Sequence, residues 1–392
     1  MRTTSLHGSR SIQPAVRAVC ACVLCVVVPA AAGVRINGVG TTYATIQAAV
    51  NAAVNGDALH ISTGRYVENV QVYNKNISLK GGFSAADYTT FLPYTSTIID
   101  GSGGAASALR ITNGVVFMNY LKITGGSNNS GAGLNSRYAT TTAEYCIIYG
   151  NAAAGASGGG VFASSGALVM RYCTITNNTA ANGGGVAASL GGALVLQNCE
   201  VHRNRAITEG GGLYLLPGSS ATLELPNTDF RHNYAAMGGA AAASGAALTL
   251  RASAGFFHNA AQTHGGGIYA RDYATITLDG ATIGYEDWGM NWASNGCGGG
   301  IYAASSTVIL TNGAQVRCNH AGQDGGGLYL SNATLRSFTG SIGFYMEGST
   351  NIARRNGGGI YAHTSALHLR TTYLQQNYAY GSGGGIYAVN AA

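Results

Sequence analysis

The chain has 392 residues, of which 60 are glycine and five are proline, and only 9% are Asp, Glu, Lys or Arg. Low charge with 46% apolar residues excludes a disordered tail, and glycine without a strict Gly-X-Y period excludes collagen. The net charge of +6 is spread without a Lys/Arg run, which argues against nucleic acid as a partner.

Residues 1–32 read as a secretory signal peptide. Arg2, Arg10 and Arg17 form a basic start, an apolar run covers residues 19–28, and Pro29 and Ala30-Ala31-Ala32 precede Gly33. That run is too short for a membrane-spanning helix, and no later segment is apolar enough, so no transmembrane helix is expected. Removing the leader leaves 18 basic residues against 15 acidic ones, a net +3, and lowers cysteine from eight to five. An odd number does not suit a disulfide scaffold.

Residues 33–57 read as an N-terminal cap with a short amphipathic helix, in which Ile46, Ala49, Val50, Ala53 and Val54 share one face and Asn55-Gly56 ends it. Ala58–Ser62 and residues 67–72 and 77–80 read as the first strands.

Residues 58–392 carry an internal repeat. A glycine cluster followed by an apolar residue starts at Gly131, Gly158, Gly183, Gly210, Gly238, Gly265, Gly298, Gly325, Gly357 and Gly383, at separations of 27, 25, 27, 28, 27, 33, 27, 32 and 26. Asn177, Asn204, Asn259, Asn319, Asn351 and Asn377 each lie six residues before the first glycine. Between clusters the apolar residues alternate with period two, as in Thr275-Ile-Thr-Leu-Asp279. Units of about 27 residues with three short strands cannot bury their apolar faces alone. Stacked at ~4.8 Å, they align like residues in ladders. The predicted fold is all-β, a single-stranded parallel β-helix solenoid with a short N-terminal capping helix. The consensus of the leucine-rich repeat, the main competing solenoid, is absent. The sequence stops one strand into a new coil, so its C-terminal edge is expected to be covered by missing sequence or by a partner.

The segments Thr45-Ile-Gln-Ala-Ala-Val-Asn-Ala-Ala-Val-Asn-Gly-Asp57, Gly64-Arg-Tyr-Val-Glu-Asn69 and Ile77-Ser-Leu-Lys-Gly-Gly-Phe83 resemble the opening of bacterial pectin-lyase-like β-helix proteins. Thr97-Ile-Ile-Asp-Gly101 and Leu121-Lys-Ile-Thr-Gly-Gly126 fit the same pattern. The Gly-Gly-Ala/Gly-apolar and Phe-x-x-Asn repeats are similar to those of the polymorphic outer membrane protein family. Together the resemblances cover nearly all of the chain after the leader. They imply a right-handed β-helix and a secreted, cell-surface or outer membrane-associated location. One implied class is adhesin-like passengers carried by a C-terminal membrane barrel, which this sequence lacks. The other is polysaccharide lyases and hydrolases.

Candidate chemistry is sparse. Only fifteen Asp/Glu occur, and Asp229 falls roughly where Glu200 falls one coil earlier, a pair that could face a groove or be solvated surface charge. The first long coil carries an insertion, Ile283-Gly-Tyr-Glu-Asp-Trp-Gly-Met-Asn-Trp292. Its Glu286, Asp287, Trp288 and Trp292 could bind sugars by stacking and hydrogen bonding, or simply pack on the coil side. A similar insertion, Ile342-Gly-Phe-Tyr-Met-Glu347, lies in the second long coil. Tyr269, Tyr302, Tyr329, Tyr361 and Tyr387 should form a ladder on the outer face, either a ligand platform or a self-packed stripe that stabilises the sheet. His232 and His258 recur one coil apart but are too few for a metal, and Cys146, Cys173 and Cys199 should stack as buried small rungs rather than disulfides. No catalytic constellation, cofactor motif or metal spacing is present. The expected function is a non-enzymatic secreted or surface module that binds glycans or surface proteins or serves a structural role. The alternative is a polysaccharide lyase or glycoside hydrolase.

Overall fold

The computed structural model describes residues 32–92, 96–127, 130–224, 228–285, 289–344 and 348–392, which lie within one compact unit spanning Ala32–Ala392. Apart from Ala32, the leader lies outside these residues, as do Glu286, Asp287 and Trp288. Among the described residues, no helix is long and apolar enough to cross a membrane.

The cap begins with two short antiparallel strands, Val34–Ile36 and Thr42–Tyr43, followed by a helix, Ile46–Ala52. The Thr45 hydroxyl accepts from the Ala48 N–H. The Glu68 carboxylate accepts from the Ile46 and Gln47 N–H groups at 2.7 and 2.9 Å. At the other end the Lys75 ammonium donates to the carbonyls of Val50, Asn51 and Ala53. Both sets of orphan helix groups are thus satisfied by charges of the sign the helix dipole prefers. Ile46, Ala49 and Val50 are buried over the end of the core, whereas Val54, expected on that face, is 67% exposed because the helix ends at Ala52.

Beyond the cap the chain winds as a parallel β-solenoid. Each glycine cluster leads into a strand of sheet 1, such as Ile301–Ala304, then sheet 2 (Thr307–Thr311), sheet 3 (Gln315–Val316) and sheet 4 (Asn319–Ala321). Among the described residues the sheets contain 12, 14, 12 and 9 strands, the 14 including the antiparallel cap strands. The expected three strands per coil become four because the segment between the asparagine and the glycines also pairs coil to coil. Its small and polar residues, as in Thr179–Asn182, give no period-two signal.

Register is kept from coil to coil. Ile268, Ile301, Leu328 and Ile360 are successive Cα partners, and all are fully buried. They belong to one continuous apolar core running from Val34 to Ala362. The first glycine of each marked coil, Gly298 for instance at φ +69°, is left-handed, a conformation glycine adopts without penalty. The two that follow lie against the next coil, so that a Cβ on Gly299 would fall 2.5 Å from the Gly326 carbonyl oxygen.

Asparagine forms the buried polar spine, through Asn151, Asn178, Asn204, Asn233, Asn259, Asn291, Asn319, Asn351 and Asn377. From Asn151 to Asn351 each Nδ2 donates to the Oδ1 one coil on, at 2.9–3.1 Å. Most rungs also donate to the carbonyl of an earlier coil, as Asn204 Nδ2 does to Ile175 at 2.9 Å. The rung in its coil is Asn178, not Asn177; Asn177 occupies the left-handed turn before it, at φ +53°. Cys146, Cys173 and Cys199 stack unbridged in the interior, each thiol donating to a carbonyl two residues back at 3.2–3.4 Å. Burial holds the Cys173 thiol well above its ordinary pKa, and its hydrogen bond with Cys173 does the same for Cys199.

Candidate functional site

Sheet 3 carries the candidate site. Glu200, Asp229, Gly255, Thr282 and Gln315 are successive Cα partners. Their neighbours Val201, Phe230, Phe256, Ile283 and Val316 are fully buried, so alternation turns the first set outward. The Phe257 ring lies over Gly255, 2.9 Å from where a Cβ would stand. Beside it is a cavity of about 430 Å³ lined by Asp229, Ser253, Ala254, Gly255, Phe257, Thr282 and Tyr285. The Phe257 and Tyr285 rings, 6.3 Å apart and tilted by 50°, form its aromatic wall. Tyr285 is braced from behind by the Arg317 guanidinium 5.1 Å from its ring, and the same guanidinium lies 5.0 Å from the ring of Phe344. Both insertions therefore begin alike, Ile283-Gly284-Tyr285 and Ile342-Gly343-Phe344, with the glycine at φ +84° and +78° and the aromatic residue packed on one buried arginine.

The two acids differ in environment. Arg231 binds Glu200 at 2.7 Å and keeps it company at the surface. Asp229 is half-buried; burial raises its carboxyl pKa, opposed by Arg231 and reinforced by Glu200. In the acid range below an ordinary aspartate's titration, about pH 3.9, folded and unfolded chains are both protonated there. As pH rises the unfolded chain ionises first, so Asp229 withdraws stability through the interval up to its raised folded value. Asp229→Asn is accordingly expected to melt with wild type at ~pH 3 and above it at pH 7, followed by circular dichroism; equal melting at both would remove the assignment.

His232 and His258 stack at 4.7 Å beside this sheet, in left-handed turns at φ +54° and +56°. Burial lowers both pKa values, with Arg203 adding to it at His232 and His232 adding to it at His258. Among the described residues no group of three or more His, Cys, Asp or Glu could hold a metal.

The expected tyrosine ladder forms on sheet 1. Tyr269, Tyr302, Tyr329, Tyr361 and Tyr387 stack at centroid distances of 5.2, 4.9, 4.9 and 5.3 Å, with planes within 25°. The rings are half-buried and cover one another's faces. Further back Phe162 and Tyr214 are buried, with Ala187 and Ala242 between. Burial pushes the Tyr302 and Tyr329 hydroxyls up to about 12. Trp292 is on sheet 4, 37% exposed, its ring edge-on to His320 at 4.3 Å, and is not among the residues lining the cavity. Glu286, Asp287 and Trp288 directly follow the cavity's Tyr285 in sequence but lie outside the described residues.

Sequence reasoning missed a second aromatic ladder. Tyr120, Tyr145 and Tyr172 occupy the left-handed turn between sheets 2 and 3, each at φ +53°, and stack at 5.0 and 4.9 Å. The available signal was an aromatic residue at spacings of 25 and 27, continued by Asn198 after 26.

Stacked parallel coils with a buried asparagine spine, glycine-marked turns and a capping helix decide the family, and its profile, right handed beta helix region, matches residues 30–253. The chain belongs to this family. No curated protein and no solved structure matches it. In this right-handed β-helix the candidate site lies on the outer face of sheet 3, beside Asp229 and Gly255.

Proposed function

We propose that this right-handed β-helix is a secreted or cell-surface binding module whose ligands are glycans. The observation that carries the reading is the cavity beside Gly255, lined by the Phe257 and Tyr285 rings and by the half-buried Asp229. Rings of that kind offer faces to the C–H surface of a sugar, and a carboxyl accepts from its hydroxyls. Glu286, Asp287 and Trp288, which directly follow Tyr285 in sequence, are proposed as further contacts, as are Trp292 and the tyrosines of sheet 1. Outer membrane association and kinship with the repeats of polymorphic outer membrane proteins belong to this reading. They rest on the leader and on the repeat pattern.

Binding of the full chain to a glycan array tests it. Phe257→Ala with Tyr285→Ala should weaken the strongest hits about tenfold or more, the loss of one or two sugar-stacking contacts. Trp288→Ala with Trp292→Ala should weaken them less. Absence of any bound glycan, or unchanged binding by the Phe257/Tyr285 variant, contradicts the proposal.

A polysaccharide lyase or glycoside hydrolase is the second reading. It is favoured by Asp229 and Glu200, which are Cα partners on adjacent strands ~4.8 Å apart, and by the burial that raises the Asp229 carboxyl pKa, as a general acid requires. New reducing ends released from a polysaccharide panel, and lost in Asp229→Asn, would select it; no release would remove it.

A further inference from the structure

The carboxylates of this chain are partnered, with one exception. Seven of them, from Asp100 to Asp324 in sequence, lie within 4.0 Å of an arginine. Glu68 accepts from two helix N–H groups, Asp57 from Asn37 and Val54, Asp87 from Thr89 and Thr90, and Asp279 from Asn312. Among the described residues the Asp229 carboxylate alone has neither a hydrogen bond nor an ion pair. Arg231, two residues on, is held by Glu200 at 2.7 Å.

This unpaired carboxylate is at the cavity beside Gly255. Its Oδ1 lies 3.6 Å from where a Cβ on Gly255 would stand, and both residues line the cavity. The lining brings it no Lys, Arg or His; the other side chains there include the Phe257 and Tyr285 rings and the hydroxyl-bearing Ser253 and Thr282. A partly buried charge left without a partner is costly, and burial accordingly raises the Asp229 pKa. The Arg317 guanidinium already lies over the Tyr285 ring, which leaves Phe257 as the ring better able to meet a second cation.

One carboxylate, two rings and no basic group restrict what fits. An anion meets Asp229 and no positive charge in the lining. A metal ion finds too few ligands, because no group of three or more His, Cys, Asp or Glu exists among the described residues. A neutral sugar can donate hydroxyls to the carboxylate but leaves its charge uncompensated. A protonated amine donates to it and neutralises it together. The Phe257 ring attracts the same cation and packs on the C–H face of the sugar that carries it. We infer that the ligand of this cavity is a sugar bearing a free amino group, whose ammonium pairs with Asp229. This ligand class presupposes that the cavity is a glycan site.

The test uses the full chain on an array in which several oligosaccharide backbones are each printed in free-amino, N-acetylated and hydroxyl form. Wild type should retain the free-amino members about tenfold better than their counterparts, as one charge-assisted bond predicts, and added salt should narrow the gap. Asp229→Asn keeps the shape and an acceptor but not the charge, so it should bind all three forms alike. Asp87→Asn, the same charge change at a distant exposed carboxylate, should leave the preference intact. Equal retention of the three forms by wild type overturns the inference and leaves the glycan reading standing. A preference that survives Asp229→Asn, or falls equally with Asp87→Asn, does the same. No bound glycan of any form overturns both.

Discussion

Gly299→Val is expected to destroy the folded C-terminal half of the solenoid. A Cβ at this position would stand 2.5 Å from the Gly326 carbonyl oxygen and 2.5 Å from the His320 backbone nitrogen. All of those atoms are main chain, fixed by two neighbouring coils, so no rotamer relieves the clash. Either the coils separate, breaking the parallel ladders on both sides, or the turn is rebuilt. Either costs more than about 4 kcal/mol, the range reached by severe overpacking and backbone incompatibility. Coils contact only their neighbours, so the damage should spread from this rung rather than melt the chain uniformly. Gly191→Ala is the control. It replaces a left-handed glycine, at φ +75°, with nothing within 4 Å of its Cβ, so it should cost only the ~1–2 kcal/mol of that backbone conformation. Limited proteolysis with thermal melting reads both; a Gly299→Val protein as resistant as Gly191→Ala would refute the close approach of the coils.

Asn233→Ala should be the most damaging side-chain truncation on the polar spine. Its Oδ1 accepts from the Asn204 N–H at 3.0 Å and from Asn204 Nδ2 at 3.1 Å, while its Nδ2 donates to Val201 O at 2.8 Å and Asn259 Oδ1 at 3.0 Å. Asn233 is 1% exposed, so water cannot replace these bonds. Leaving several buried donors and acceptors unpaired, at about 1–3 kcal/mol each before relaxation, gives an expected loss of about 3–5 kcal/mol. At the far rung Asn377 is only half-buried, and water can take over its bonds to Asn351 and Ile342, so Asn377→Ala should cost about 1 kcal/mol. Hydrogen exchange at the Asn204 amide should accelerate in the first variant and stay unchanged in the second. Similar losses at both sites would show that the spine does not act through burial.

The solenoid was legible because its strongest constraints are backbone constraints, and only glycine meets them. The left-handed turn at Gly298 and the close approach at Gly299 and Gly300 recur as a visible cluster at near-constant spacing. Side-chain ladders were legible where rungs are identical, as in the tyrosines from Tyr269 to Tyr387. Counting back from the glycines misplaced one asparagine rung, because the turn after Asn178 is one residue shorter than that after Asn204. The fourth strand was hidden by its small polar residues, and the ladder of Tyr120, Tyr145 and Tyr172 by the left-handed turn it occupies, which tyrosine rarely enters. The candidate cavity was not legible, because it depends on Asp229, Gly255 and Thr282 standing on successive rungs, which spacing fixes only after register is known.

Register is therefore the claim on which the candidate site depends, and cysteine pairs on the outer face of sheet 2 measure it directly. Thr277 and Ile309 are Cα partners on adjacent coils, and Arg336 is the next partner beyond Ile309. At ~4.8 Å per coil, Thr277→Cys with Ile309→Cys falls within disulfide range, and Thr277→Cys with Arg336→Cys, two coils apart at ~9.6 Å, does not. Mild oxidation should cross-link the first pair nearly completely and the second not at all. Efficient bridging of the second pair, or failure of the first, would contradict the stacked architecture.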